Sequence, residues 1–175
     1  MIKKESLIVN FLSWGLMIAK WLFGIMVFLL VTIGIGLAVP GIRKNLSYST
    51  NILGISTSNL TVVFGAIFVS LFIFMIFFAI ISYLQKLIKN IKNLSFFEIT
   101  NLISIKKILH LILVLIIVQI FYGMLEIVLG ILNNQAISIN FAALLISFIF
   151  VVVVQTIYIL LDNGLKLKNE NDSFL

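Results

Sequence analysis

The 175 residues contain no cysteine, one proline and one histidine. Without thiols there are no disulfides, no thiolate metal sites and no cysteine nucleophile, and the redox compartment stays open. A lone histidine, His110, cannot build a metal centre when no second ligand set accompanies it. No metal and no cofactor is therefore expected. Acids are scarce too: Asp and Glu number 6, against 12 Lys and Arg. No serine sits in a Gly-x-Ser-x-Gly elbow or beside a histidine–acid pair, and neither a Walker loop nor a dinucleotide fingerprint is present. The glycines at 34 and 36 lie inside an apolar run and read as close helix packing. An enzyme is not expected.

What the chain has is apolar bulk. Hydrophobic residues make up 62%, Phe alone contributes 16, and only 10% of residues are charged. A core of this size cannot bury so many apolar side chains, because a small domain leaves much of its surface exposed. The solvent that suits them is a bilayer. The net charge of +6 does not argue for nucleic acid, since the basic residues cluster at the ends of apolar runs and form no free basic stripe. No direct nucleic-acid contact is expected.

Four segments are long enough to cross: residues 21–39, 60–83, 108–132 and 137–161. Residues 69–81 run on without the alternating polarity of a barrel strand, so the expected fold is all-α: a polytopic membrane protein with four transmembrane helices in one domain. Residues 7–19 carry Asn10, Ser13 and Trp14 ahead of Lys20. They either lie in the interface or extend the first span, with Lys20 snorkelling to headgroups. The apolar run continues to Val39 with no small-x-small site before it, so the first span is expected to be retained.

Lys3, Lys4, Lys20, Lys86, Lys89, Lys92, Lys106, Lys107, Lys166 and Lys168 fall on one side of this arrangement. The other side holds Arg43 and Lys44. Positive-inside counting puts both termini in the cytoplasm of a multi-pass cell-membrane protein. Residues 40–59 then form an outer loop, opened by Pro40 and Gly41. Residues 84–107 form the cytoplasmic connection. There Leu84, Leu87, Ile88 and Ile91 recur at helical spacing, which predicts an amphipathic extension along the anionic inner leaflet. Ser95 or Thr100 is expected to cap the helix entering the third span. Residues 162–175 form a polar tail expected to leave the membrane at Gly164.

Two cytoplasmic stretches carry a resemblance. The first reads Phe97, three residues, Asn101, Leu102, two residues, Ile105, Lys106, Lys107, Ile108. The second reads Gly164, two residues, Leu167, two residues, Glu170, Asn171, Asp172. In this order around four spans they resemble an uncharacterised bacterial family of small membrane proteins, often encoded beside a Cro/CI-type helix-turn-helix regulator. The resemblance implies a four-span topology and a regulatory neighbourhood, and no reaction. The residues that carry it, Phe97, Asn101, Gly164, Leu167, Glu170, Asn171 and Asp172, and separately the basic Lys86, Lys89 and Lys92 of the amphipathic connection, are the expected residues for cytoplasmic contact with a protein partner.

Glu126 is the one acid inside a span, where a carboxylate is costly. Gln119, Tyr122, Gly123 and Glu126 stand at i, i+3, i+4 and i+7 and share a helix face. They form either a polar seam for a proton, ion or small ligand, or a packing seam held by interhelical hydrogen bonds. Gln155 and Tyr158 lie toward the inner end of the fourth span, with Lys20 or His110 the expected neighbour of Gln155. The expected function is that of a non-enzymatic membrane protein acting through protein or lipid contacts, in sensing, regulation or immunity. The alternative is a small transporter or channel built around Glu126.

Overall fold

The computed structural model describes residues 2–39, 50–52, 55–57, 60–93, 95–132 and 141–173. Four helices dominate: α1 (Ile2–Ala38), α2 (Leu60–Lys92), α3 (Ile99–Leu132) and α4 (Phe141–Ser173). All four are long and apolar enough to cross a membrane. At about 1.5 Å per residue they reach roughly 50 Å or more, well past a ~30 Å hydrocarbon core. Each helix therefore has length to spare beyond the part a bilayer would cover.

Residues 7–19 join residues 20–38 in one unbroken helix, so of the two expectations it is the continuous helix that forms. Nothing in this stretch stops a helix: there is no proline, and Leu, Met, Ile and Ala are good or acceptable helix formers. Lys20 is accommodated sideways, its ammonium 4.7 Å from the centroid of the Phe78 ring on α2. It is thus a neighbour of α2 and not of Gln155.

The helices pack in chain order, each antiparallel to the next. On α1, Phe23 lies against Phe74 and Phe77 of α2, with ring centroids 5.6 and 5.5 Å apart, and Gly34 faces Ile67, which is near the start of α2. Ile108, Ile112 and Ile116 make α3 the middle of the next layer. They pack against Ile80, Tyr83 and Leu84 of α2 and against Leu144, Val151 and Val154 of α4. Nearer the ends, Leu87, Ile105 and Leu161 join the same three helices in a second cluster. This pairing sets the start of α1, the end of α2, the start of α3 and the end of α4 at one end of the array.

The apolar stripe expected along the inner leaflet is spent within the protein. Leu84, Leu87 and Ile91 pack into these clusters, so the end of α2 continues its helix instead of lying flat. The outward faces remain apolar: Phe11 is 78% exposed and Phe68 74%, with Trp14, Trp21, Phe148 and Ile149 each more than half exposed. Apolar surface on this scale far exceeds what a soluble monomer shows. The hydroxyls follow suit. Thr32, Ser82 and Thr156 bond carbonyls of their own helix three or four residues back, so they ask for no water.

One element departs from an all-helical reading. Strands β1 (Thr50–Ile52) and β2 (Ile55–Thr57) pair antiparallel, Ile52 opposite Ile55. Thr and Ile favour a pleated chain, and the two strands are separated by two residues, as in a tight hairpin. The other residues of the 40–59 loop, including Pro40, Gly41, Arg43 and Lys44, and residues 133–140 lie outside the described residues.

The outward faces generate a test. Phe148→Arg is expected to cost insertion about 2.5–3.5 kcal/mol if placed mid-span, read as a fall in the membrane-integrated fraction after alkaline extraction. If the variant stayed folded and became more soluble, these faces would be meeting water.

Candidate functional site

The polar side chains that tie helices together gather at the end where α2 gives way to α3. α2 closes with a 6→1 backbone bond, from the Ser95 N–H to the Asn90 carbonyl at 3.0 Å, as in a Schellman-type stop. The Ser95 hydroxyl donates to the same carbonyl at 3.1 Å. Ser95 therefore ends α2 and does not begin α3. At the start of α3 the Glu98 carbonyl accepts from the N–H groups of Asn101 and Leu102. Thr100 does not cap either: its hydroxyl donates to the Glu98 carboxylate at 3.2 Å.

Asn101 fills the corner. Its side chain is 0% exposed. Its amide nitrogen donates to the carbonyls of Ser95 and Phe96 at 2.9 and 2.8 Å, and its oxygen accepts from Asn90 Nδ2 at 2.6 Å. Both amide hydrogens and the oxygen are thus used, as burial demands. Asn101 was expected to face a partner; it is the inner clasp of the turn and has no surface to offer. Asn90, which sequence reasoning passed over, is its counterpart on α2.

α4 reaches this corner because it does not stop at Gly164. The helix runs on to Ser173, carried by Leu161, which is wholly buried among Leu87 and Ile105, and by an Asp162–Lys166 pair one turn apart at 2.7 Å. The side-chain hydrogen bond to Asp162, then that carboxylate's charge, holds Lys166 above the ordinary lysine value. The lysine is therefore charged at neutral pH, and its half of the pair is lost as pH rises through that raised value. Both partners are partly or largely exposed, so screening keeps its contribution small. Gly164 is where Phe97 lands. A Cβ built on Gly164 would overlap the Phe97 ring, so the Phe97 and Gly164 stretches meet at this contact. Phe96 packs edge-on to Phe97, with centroids 5.1 Å apart, and turns inward to the cluster of Leu87, Ile105 and Leu161.

Between the corner and α4 lies an open groove of about 450 Å³, with Leu102 and Leu165 among its apolar residues and Glu98, Lys166, Lys168 and Asp172 among its charged ones. Leu167, Glu170, Asn171 and Asp172 lie exposed on the last turns of α4, and Lys86, Lys89 and Lys92 are exposed on the last turns of α2. The end of the array thus combines a rigid, internally bonded corner with an open, charged rim.

The seam on α3 is resolved in part. Gln119 accepts a hydrogen bond from the Ser147 hydroxyl of α4 at 3.1 Å. That hydroxyl also lies 3.0 Å from the Ala143 carbonyl. Gln119 thus serves helix packing. Tyr122 lies beside an apolar cleft between α2 and α3, and the side chain of Glu126 lies outside the described residues. Gln155 is exposed. His110 bonds its own helix, Nδ1 to the Lys106 carbonyl at 2.7 Å. Among the described residues no group of three or more His, Asp or Glu converges as a metal site would require.

Compared with protein-family models, curated proteins and solved structures, the chain matches none.

The Phe97–Gly164 contact makes a sign-reversing prediction. Gly→Ala inside a helix ordinarily gains up to ~1 kcal/mol, but here the added methyl meets a ring, at an overpacking cost of about 1–3 kcal/mol. Gly164→Ala is expected to lower the melting temperature in detergent, whereas in a Phe97→Ala background the same change raises it or leaves it alone. Asn101→Leu, which leaves Asn90 and two carbonyls without their partner, is expected to cost about 3 kcal/mol in the same assay.

Proposed function

We propose that this chain is a non-enzymatic, multi-pass cell-membrane protein whose working surface is the helix end built on the Asn90–Asn101 corner and the last turns of α4. Both termini and that end face the cytoplasm. Ten of its basic residues then lie on that side, which carries the negative surface potential of anionic lipids. The observation that carries the proposal is the Phe97–Gly164 contact. A solvated stop after a last span needs no docking, yet here α4 is held helical against the α2–α3 turn, with a charged groove left open beside it. A rigid frame with an open rim is what recognition of a protein partner needs. The resemblance of the Phe97 and Gly164 stretches to a bacterial family encoded beside a helix-turn-helix regulator points to a cytoplasmic regulatory protein as that partner.

The absence of native cysteine makes the orientation simple to check. Single-cysteine variants at Lys92 and Asn169 are expected to label from the cytoplasm, and one at Asn51 from outside. For the contact itself, a photo-crosslinker at Asn169 is expected to trap a discrete cytoplasmic partner in cells, and Gly164→Leu to abolish the product while leaving insertion intact. If an inserted protein gave no discrete product, or the same product in both forms, contact at this end would be ruled out. Reconstituted in vesicles, the parent protein and Glu126→Gln are both expected to show no ion flux above empty vesicles. Flux that Glu126→Gln removes would instead support a transport seam.

A further inference from the structure

A second cleft opens between α2 and α3 at the same end of the array, distinct from the groove beside α4. It is an open cleft of about 500 Å³, with Ala79 of α2 and Ile103 and Leu111 of α3 as its apolar side chains. Its polar groups are Tyr83, Lys106, Lys107 and His110, and no acid lines it. Lys106 and His110 are one turn apart on α3 and Lys107 flanks them; all three are exposed. The Lys107 ammonium stands 5.4 Å from the centroid of the Tyr83 ring, which holds that charge at the cleft. The Lys106 carbonyl can only accept, so the 2.7 Å contact from His110 Nδ1 places a hydrogen on that nitrogen. Nε2 is left as the ring's second polar atom.

We infer that this cleft binds one anionic phospholipid, its phosphate held by Lys106 and Lys107 and an acyl chain laid along Ala79, Ile103 and Leu111. The antiparallel pairing of α2 and α3 gives the cleft a direction. Lys106 and Ile103 lie toward the helix end, and Ala79 and Leu111 lie deeper along the span, so a headgroup at the cations sends its chain toward the bilayer centre. A free phosphate would use the cations but has no need of the apolar walls. A neutral lipid would use the walls but leave the cations unanswered. The cleft between α1 and α2, lined by Met17, Lys20 and Trp21, offers one cation, and that cation already lies over Phe78. The inference rests on the membrane-spanning arrangement proposed above and adds a specific site to it.

The experiment is native mass spectrometry of the full chain, released from detergent after equilibration with phosphatidylglycerol and phosphatidylcholine in equal amounts. The parent is expected to retain one phosphatidylglycerol in preference to phosphatidylcholine. Lys106→Gln with Lys107→Gln is expected to weaken that retention about thirtyfold, from the loss of two headgroup cations. Lys86→Gln with Lys89→Gln removes the same charge outside the cleft and is expected to leave retention unchanged. Ala79→Leu, which fills the cleft and keeps every charge, is expected to lower retention as well. Equal loss in both double variants would overturn the site in favour of general surface charge. Displacement of the lipid by millimolar inorganic phosphate or glycerol phosphate would overturn it in favour of a soluble anion. Retention of both lipids without preference would sink this inference alone, whereas a chain that carries no lipid at all would sink the membrane-spanning arrangement beneath it.

Discussion

In hydrocarbon, packing leucine on leucine gains little over leucine on a lipid tail, so the contacts that fix how helices meet are those that lipid cannot make. Among the described residues the Asn90–Asn101 pair is such a contact, at 2.6 Å. Asn101 spends its remaining donors on the two carbonyls that the α2–α3 turn leaves open. Separating α2 from α3 at this corner would cost these groups their partners. The corner fixes the angle and register at which α3 leaves α2. That in turn brings Ile105 to Leu87 and Leu161, and so places α4. Phe97 then closes on Gly164.

A gradient of specification runs through the molecule. At the corner end, α2, α3 and α4 share a core with every described buried polar atom satisfied. Farther along, the Gln119–Ser147 hydrogen bond ties α3 to α4. α1 meets the rest mainly through α2, by aromatic contacts and by Lys20 over Phe78. Its outward side chains, from Leu7 to Val39, are mostly exposed. Because the helices exceed a bilayer's thickness, the well-specified end is also the end with room to project, and it carries the proposed contact surface.

The helices themselves were legible in the sequence, because long unbroken apolar runs admit no other hydrogen-bonded backbone in lipid. The ends were not. Gly164, followed by Lys, Asn and Glu, reads as the close of a helix, since glycine inside a helix costs about 1 kcal/mol. What carries α4 past it is tertiary: the Phe97 ring fills the missing side chain's place, and Leu161 is locked in the core. Likewise Lys20 breaks an apolar run on paper, but the face of Phe78, more than fifty residues away, accommodates it. Asn101 showed the opposite failure. An asparagine between two lysine-bearing stretches looks like surface, and only the partner at Asn90, on the edge of the Leu87–Ile91 stripe, hinted that it turns inward. The hairpin at Thr50–Thr57 did leave a signal, β-branched residues on both sides of a two-residue link ending in Gly54.

The dependence of α4's end on the corner is open to one direct measurement: amide hydrogen exchange of residues 161–168 in a lipid nanodisc. Exchange reports local opening residue by residue, and no other property separates a docked helix from a solvated tail so plainly. Protected amides from Leu161 through Lys168 in the parent, released when Phe97 is replaced by Ala, are the result this structure predicts. Exchange across Gly164–Lys168 as fast as in an unstructured peptide would contradict it, and with it the contact surface built on that end.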